Sequence, residues 1–157
     1  MALRAVVGIG ANLGDRRATM RAALGSIETF ARIEATSRLY ETAPVGGPEQ
    51  PAFFNAAVLV SFQGSALDLL DRLLALEATL GRVRVERWGP RVIDLDLLWI
   101  DGVAIDDPRL VVPHPRLRDR AFAVRPLLDV VPGARDPVSG GTYVVPSGDV
   151  REVGDWP

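Results

Sequence analysis

The sequence of 157 residues contains no lysine and no cysteine, and all 18 of its basic residues are arginine. Without lysine, the chain cannot form a Schiff base with a carbonyl substrate or supply the lysine that grips phosphate in a Walker A loop. Without cysteine, it has no disulfide, thiolate nucleophile or cysteine-ligated zinc. Recognition of phosphate would therefore depend on arginine, whose planar guanidinium group forms paired hydrogen bonds with phosphate oxygens.

An excess of positive charge and a long apolar segment are also missing. The formal net charge of -2 argues against a generic binder of nucleic acid or of anionic membranes. The longest uncharged stretch, residues 50–67, is interrupted by proline, glycine and polar residues, so it does not form a membrane span. The apolar run after Arg4 is too short for a secretory signal. We therefore expect a cytoplasmic protein with one domain, residues 1–157.

The order of hydrophobic patterns predicts an α+β fold. Asp15 is the expected N-cap of the first helix, and Gly81 is the expected stop of the second. The order β-α-β-β-α-β is that of a ferredoxin-like core, an antiparallel sheet with both helices on one face. A short helix and a hairpin across Gly140 and Gly141 form a predicted C-terminal extension. The predicted strands are 5–9, 33–40, 54–62 and 92–100, and the predicted helices are 16–30, 66–80 and 119–128.

Two aspartates interrupt the otherwise apolar strand at residues 92–100. Side chains alternate between the faces of a strand, so Asp94 and Asp96 project to the same side. Two neighbouring carboxylates repel each other and are costly to remove from water. A magnesium ion that is shared with substrate phosphates offsets both effects, because Mg²⁺ favours a few carboxylates plus phosphate oxygens. A strand end that forms salt bridges with nearby arginines is the alternative.

Two basic segments flank this strand in an acidic protein. Residues 81–91 contain four arginines and one glutamate, and residues 109–125 contain five arginines and one aspartate. They are candidates for a triphosphate clamp, although some of these arginines could simply solvate loops. His114 lies between two prolines in a predicted extended loop, where it either contacts phosphate or is exposed. The glycines at positions 8, 10 and 14 do not fit a dinucleotide fingerprint, so a tight turn from strand to helix is the favoured interpretation.

Residues 87–98 resemble the signature of the 6-hydroxymethyl-7,8-dihydropterin pyrophosphokinase family of folate biosynthesis. The similarity extends, in the same order and spacing, to residues 10–15, 40–42, 54–58, 81–84 and 113–115. The resemblance implies a ferredoxin-like core and a monomer that uses ATP and two magnesium ions. It implies transfer of the diphosphate group to the hydroxymethyl oxygen of the reduced pterin, with release of AMP.

The resemblance also implies which residues bind the nucleotide. Asp94 and Asp96 would bind both metal ions and orient the hydroxymethyl oxygen for in-line attack on the β-phosphorus. Arg82 and Arg91 join them as the expected catalytic residues. The full set of expected nucleotide-binding residues is Glu77, near the adenosine, with Arg82, Arg84, Arg91, His114 and Arg120.

For the pterin, the resemblance implies a flat pocket in which Phe53 and Phe122 stack on the ring. Asn55 would form hydrogen bonds with the polar edge of the ring. The backbone around Thr42, Pro44 and Val45 would line the pocket. Trp88 and Arg91 lie in a loop that could close over the bound ligands.

Three departures from the family pattern leave loop closure and nucleotide affinity open. The segment between Arg84 and Arg87 is about one residue short, Phe53 replaces a frequent tyrosine, and Pro115 stands where some members carry an aromatic residue. Two alternatives also stay open at this point. One is another magnesium-dependent phosphoryl or nucleotidyl transferase, and the other is a ferredoxin-like RNA-binding module, which the acidic pair and the net negative charge oppose.

Overall fold

The computed structural model describes residues 2–43, 51–81 and 92–157. In this part of the chain each predicted strand and helix is found with ends that differ by up to three residues, except that the strand expected at residues 33–40 is two strands separated at Ser37 and Arg38. A 3-10 turn, Leu117–Asp119, precedes the third helix. The elements are β1 (Ala2–Ala11), α1 (Arg16–Ile27), β2 (Arg32–Thr36), β3 (Leu39–Thr42), β4 (Phe53–Gln63), α2 (Ala66–Leu80), β5 (Asp94–Ile100), β6 (Ile105–Asp107), β7 (Leu110–Val112), α3 (Ala121–Val130) and β8 (Arg151–Gly154).

Six strands form one antiparallel sheet in the order β5-β1-β4-β3-β8, and β2 also pairs with β4. Strand β1 lies between β4 and β5, so its residues pair with both neighbours. Strands β6 and β7 form a separate hairpin. The small hairpin and β8 were absent from the sequence prediction. The fold is therefore a mixed α/β structure built on an antiparallel sheet.

Alternation along the central strands divides the apolar residues between the two faces of the sheet. On the first face, Val7, Ile9, Val58 and Leu95 belong to the larger core cluster, which also contains the buried residues of α1 and α2. On the second face, residues such as Leu59 pack with the apolar side of α3. Helices α1 and α2 thus lie on one face, and α3 covers part of the other.

Two helix ends lie where the sequence predicts them, at Asp15 and Gly81. The Asp15 side chain accepts a hydrogen bond from the backbone N–H of Ala18 at 3.1 Å, so it is the N-cap of α1. Ser65 and Asp68 form a capping box at the start of α2. Gly81 ends α2, and its N–H donates to the carbonyl oxygen of Glu77 at 2.7 Å. None of the helices in the described residues is long and apolar enough to cross a membrane.

The C-terminal part of the chain returns to the main sheet. A turn with Gly140 at φ 75° brings Arg135 and Thr142 into an antiparallel bridge, which corresponds to the predicted hairpin. Strand β8 then pairs with β3, and Trp156 is buried in the larger core. This return places residues 147–150 beside the second face of the sheet, where α3 begins.

Candidate active site

A cavity of about 560 Å³ opens on the second face of the sheet. It lies where β1 ends and where β4 and β5 begin. Its lining also includes the first residues of α3, which pack against the sheet. Sequence-predicted residues from five separate parts of the chain meet there. The described residues of the predicted site that line the cavity are Thr42, Phe53, Asn55, Asp94, Asp96, His114, Arg120 and Phe122.

Two glycines of β1 form the floor of this cavity. Gly8 pairs with Asp96, and Gly10 pairs with Asp94 on one side and with Asn55 on the other. A β-carbon at Gly10 would lie 3.1 Å from the side-chain oxygen of Asn55. Gly14, with φ 61°, lies in the expected turn before α1, but the same interpretation was wrong for Gly8 and Gly10, because both lie inside β1. At Gly8 the missing side chain lets Leu98 pack onto the strand, since a β-carbon there would lie 3.0 Å from the Leu98 side chain, and at Gly10 it leaves room for the side-chain oxygen of Asn55.

Substitution of Gly10 by alanine is expected to raise the KM for the substrate that contacts Asn55 by about 10-fold, since the new methyl group displaces the Asn55 amide and weakens roughly one hydrogen bond. Steady-state kinetics with each substrate varied in turn measures this change. Gly25→Ala is the matched control, because a β-carbon at Gly25 in α1 meets nothing within 4 Å. It should leave both KM values unchanged and stabilise the helix. Equal KM values for Gly10→Ala and wild type would contradict the role of the glycine floor.

Asp94 and Asp96 are half-buried and both line the cavity, as the alternation of β5 predicts. Within the described residues, no group of three or more acidic, histidine or cysteine side chains could form an all-protein metal site. Two carboxylates at the wall of a cavity still fit magnesium, which commonly takes one or two protein carboxylates and completes its shell with phosphate oxygens and water. The chemistry of the donor set therefore suits Mg²⁺ that arrives with a nucleotide.

Two hydrogen bonds hold His114 in place, one through its backbone N–H and one through its imidazole ring. Its N–H donates to the carbonyl oxygen of Leu98 at 2.9 Å, and its Nδ1 accepts from the N–H of Arg116 at 3.1 Å. Burial lowers the pKa of His114, and the nearby Arg120 and Arg116 lower it further, whereas Asp96 opposes them. The ring is thus neutral at neutral pH, with its proton on Nε2. This N–H is a donor suited to a phosphate oxygen.

The second basic segment divides into arginines at the cavity and arginines elsewhere. Arg116 and Arg120 line the cavity. Arg118 binds Asp136 at 3.0 Å and stacks over Tyr143, and Arg109 forms an ion pair with Asp71. The local positive charge near the acidic strand is therefore supplied, among these residues, by two guanidinium groups.

The opposite end of the cavity combines aromatic and amide groups. The buried Asn55 donates through Nδ2 to the hydroxyl of Thr42 at 2.6 Å. This contact fixes the amide, so its oxygen faces the space above Gly10. Phe53 and Phe122 are partly exposed and line the same cavity. Such an end suits a flat polar ring, which needs apolar faces and a hydrogen-bonding edge.

The family model "7,8-dihydro-6-hydroxymethylpterin-pyrophosphokinase (HPPK)" matches residues 6–132. The chain belongs to the HPPK family. It is 43% identical over 146 residues to 2-amino-4-hydroxy-6-hydroxymethyldihydropteridine pyrophosphokinase of Methylorubrum extorquens, covering 90% of this chain and 89% of the relative. The protein with the same name from Pseudomonas aeruginosa is 42% identical over 139 residues, covering 87% and 86% of the two chains.

Solved structures agree with the fold of this HPPK-family chain. A crystal structure of Plasmodium falciparum HPPK-DHPS superposes with a TM-score of 0.72 at 18% identity. The superposition covers 90% of this chain and 44% of the Plasmodium chain, so the present chain spans less than half of that protein. At this identity the likeness shows the fold alone.

Glu77, expected near the adenosine of the HPPK substrate ATP, has a contact that the sequence pattern does not predict. Its Oε2 accepts a hydrogen bond from the backbone N–H of Leu95 at 2.7 Å. Because β5 is the outermost strand of the sheet that the described residues form, this carboxylate satisfies a backbone donor on the outer side of the strand. Glu77 thus ties α2 to the strand that carries the acidic pair. Its contact with adenosine stays a prediction.

Six of the predicted site residues of this HPPK-family chain lie outside the described residues. They are Pro44 and Val45 in the expected substrate pocket, and Arg82, Arg84, Trp88 and Arg91 in the first basic segment. Their roles therefore remain predictions from the sequence.

Residues 147–150 line the cavity although the sequence suggested no part for the C-terminal stretch. Gly148 packs closely on the start of α3, since a β-carbon at this position would lie 3.1 Å from that of Ala121. Arg151, one residue beyond the segment, forms an ion pair with Glu41 of β3. Close packing at one end and pairing at the other hold this segment as a wall of the site. In the sequence only a glycine within a polar segment could have indicated this wall, and that signal is weak.

Proposed function

We propose that this chain transfers the diphosphate group of ATP to the hydroxymethyl oxygen of 6-hydroxymethyl-7,8-dihydropterin, and that it releases AMP. One observation carries the proposal: a single cavity joins the acidic pair of β5 to the Asn55–Thr42 pair across the glycine floor. Its acidic end suits a polyphosphate with its cation, and its amide and aromatic end suits a heterocycle. Family membership supports this activity as a step of folate biosynthesis.

At the heterocycle end, Asn55 and Thr42 provide hydrogen-bonding groups for the polar edge of the pterin. Phe53 and Phe122 provide apolar surfaces for its faces. The ring would then lie beside the glycine floor, with its hydroxymethyl group directed towards the acidic end. In this position the reacting oxygen is held near the phosphates, and binding supplies much of the orientation that the transfer needs.

At the phosphate end, Asp94 and Asp96 would hold magnesium, with two ions in the proposal. Bound Mg²⁺ neutralises the negative charge that develops on the phosphate oxygens. His114 donates its Nε2–H towards a phosphate oxygen, and Arg120 adds a fixed positive charge. The proposal also assigns phosphate contacts to Arg82, Arg84 and Arg91, with Arg82 and Arg91 catalytic, and adenosine contact to Glu77.

We also propose a fold topology, a domain organisation, an oligomeric state and a cellular location for the whole chain. The strand order places β1 between β4 and β5 and both α1 and α2 on one face, which supports a ferredoxin-like core. Because β8 joins the main sheet, a single domain over residues 1–157 is favoured. The proposal further assigns the chain to the cytoplasm as a monomer, with Pro44, Val45 and Trp88 as part of the substrate pocket.

The activity is tested by incubating the protein with ATP, magnesium and 6-hydroxymethyl-7,8-dihydropterin. We expect AMP and a diphosphorylated pterin in equal amounts, identified by chromatography and mass spectrometry. The 6-methyl analogue of the pterin is the matched control, because it lacks the accepting oxygen and should yield no AMP. Formation of ADP would indicate an ordinary kinase, and release of free pyrophosphate would indicate a nucleotidyl transferase. Either product in place of AMP contradicts the proposal. RNA binding without magnesium, by a protein that forms no AMP, would also contradict it.

A further inference from the structure

Arg16, the first residue of α1, contacts three groups behind the heterocycle end of the cavity. Its guanidinium donates to the backbone carbonyl of Ala52 at 2.6 Å. The same group lies 3.6 Å from a carboxylate oxygen of Glu41 and 3.7 Å from the ring centre of Phe54. The side chain is only 25% exposed, so these contacts are shielded from much of the solvent. Arg16 itself does not line the cavity.

The backbone at Ala52 needs such a contact because the sheet ladder ends beside it. The pairing of β4 with β1 ends at Phe54, and its pairing with β3 ends at Phe53. Ala52 thus precedes the last ladder pair, and Arg16 holds its carbonyl oxygen. The start of β4 is fixed by this side chain at the point where the strand enters the site.

Register at this point decides which side chains face the cavity. Phe53 and Asn55 point to the second face and line the cavity, whereas Phe54 points to the first face and is buried in the larger core. A shift of one residue would exchange these faces. Arg16 covers Phe54 and holds the carbonyl two residues before it, so it stabilises the observed register.

Glu41 connects this arrangement to the C-terminal wall of the site. It lies next to Thr42 in β3 and pairs with Phe54 in the sheet. One of its carboxylate oxygens faces Arg16, and the other forms an ion pair with Arg151 of β8. The carboxylate therefore links the start of α1, the end of β3 and the strand that follows residues 147–150.

We propose that Arg16 is a positioning residue for the heterocyclic substrate, acting through the backbone at Ala52 and the ring of Phe54 to hold Phe53 and Asn55 in the cavity. The inference rests on the proposed function, since it concerns the substrate that this end of the cavity binds. Arg16 touches neither the phosphates nor the acidic pair in this arrangement. Loss of the Arg16 side chain should therefore raise the KM for the pterin and leave the KM for ATP unchanged.

The test compares Arg16→Met with wild type in steady-state kinetics, each substrate being varied in turn. Methionine keeps an apolar stem over Phe54 and loses the donor, so we expect the pterin KM to rise about 10-fold, the equivalent of one weakened hydrogen bond. The turnover number and the KM for ATP should stay within about twofold of wild type. Arg16→Lys should restore part of the pterin KM, because lysine can donate to the Ala52 carbonyl but lacks the stacking guanidinium plane.

Arg21→Met is the matched control, because Arg21 is exposed on the same helix. It should match wild type in both KM values. Unchanged pterin KM in Arg16→Met would overturn the inference, and so would an equal loss with both substrates, which a general structural defect produces. Equilibrium binding of the pterin in the presence of α,β-methylene-ATP gives a second readout and should show the same weakening. Failure of wild type itself to use the pterin would instead overturn the proposed function.

Discussion

Asp96→Asn is expected to lower kcat/KM by about 1,000-fold, since removal of one carboxylate from a cation-binding pair sacrifices several kcal/mol of charge stabilisation in the transition state. Asparagine has nearly the same shape, so the cavity keeps its form while the charge is lost. The loss should appear mainly in kcat, because the charge on the phosphate oxygens grows as the transfer proceeds. AMP formation at saturating magnesium measures the effect.

The matched control for this variant is Asp101→Asn. Asp101 lies just beyond the other end of β5, where it forms an exposed ion pair with Arg4 at 3.1 Å. Exposed pairs of this kind contribute about 1 kcal/mol or less, so activity should be unchanged and stability nearly so. Thermal unfolding of Asp96→Asn should occur at or above the wild-type temperature, because the change removes repulsion between neighbouring carboxylates. An Asp96→Asn enzyme with more than a tenth of wild-type activity would contradict the assignment.

Asn55→Leu is expected to raise the KM for the pterin by about 100-fold, since a buried amide that pairs with a polar ring edge accounts for up to roughly 3 kcal/mol once its partners are left unsatisfied. Leucine fills a similar volume and offers no hydrogen bond. The KM for ATP should change little, because Asn55 and the acidic pair lie on opposite sides of the glycine floor. Titration of the pterin against protein saturated with α,β-methylene-ATP measures the affinity directly.

Gln63→Leu is a suitable control for Asn55→Leu. It makes the same change from amide to leucine at the far end of β4, where Gln63 is exposed and pairs with Ala2. Both KM values should match wild type. The Asn55→Leu protein should remain folded, because Thr42 loses one donor and its hydroxyl can rotate to another partner. A pterin affinity within threefold of wild type in this variant would remove Asn55 from the substrate pocket.

Local sequence patterns predicted those parts of the fold whose ends are set by contacts between residues close together in the chain. Asp15, Ser65 and Gly81 mark helix ends through side-chain and backbone hydrogen bonds within a few residues, and α1 and α2 begin where the pattern indicates. Strand β8 gave no comparable signal, since three of its four residues are exposed and its pairing with β3 joins segments more than 100 residues apart. The break at Ser37 is also non-local, because its N–H and hydroxyl bind the backbone of Ala57.

The same distinction applies to the candidate site. The acidic pair was predicted from the alternation of one strand, and the structure places both side chains at the cavity. The glycine floor was misinterpreted because the role of Gly8 and Gly10 depends on their partners in β4 and β5, which local sequence does not give. The role of Arg16 could not be predicted for a similar reason. Its contacts join the start of α1 to Ala52, just before β4, and to Glu41 in β3.

The assignment of Asp94 and Asp96 as ligands of the cation that accompanies the nucleotide underlies the proposed function. Its most direct test is anomalous diffraction from crystals soaked with Mn²⁺ and α,β-methylene-ATP, in which manganese replaces magnesium. We expect a manganese peak at coordination distance, about 2.1 Å, from oxygens of both carboxylates and in contact with the phosphates. Nucleotide bound in the cavity with manganese elsewhere, and with both carboxylates directed away from it, would contradict the account.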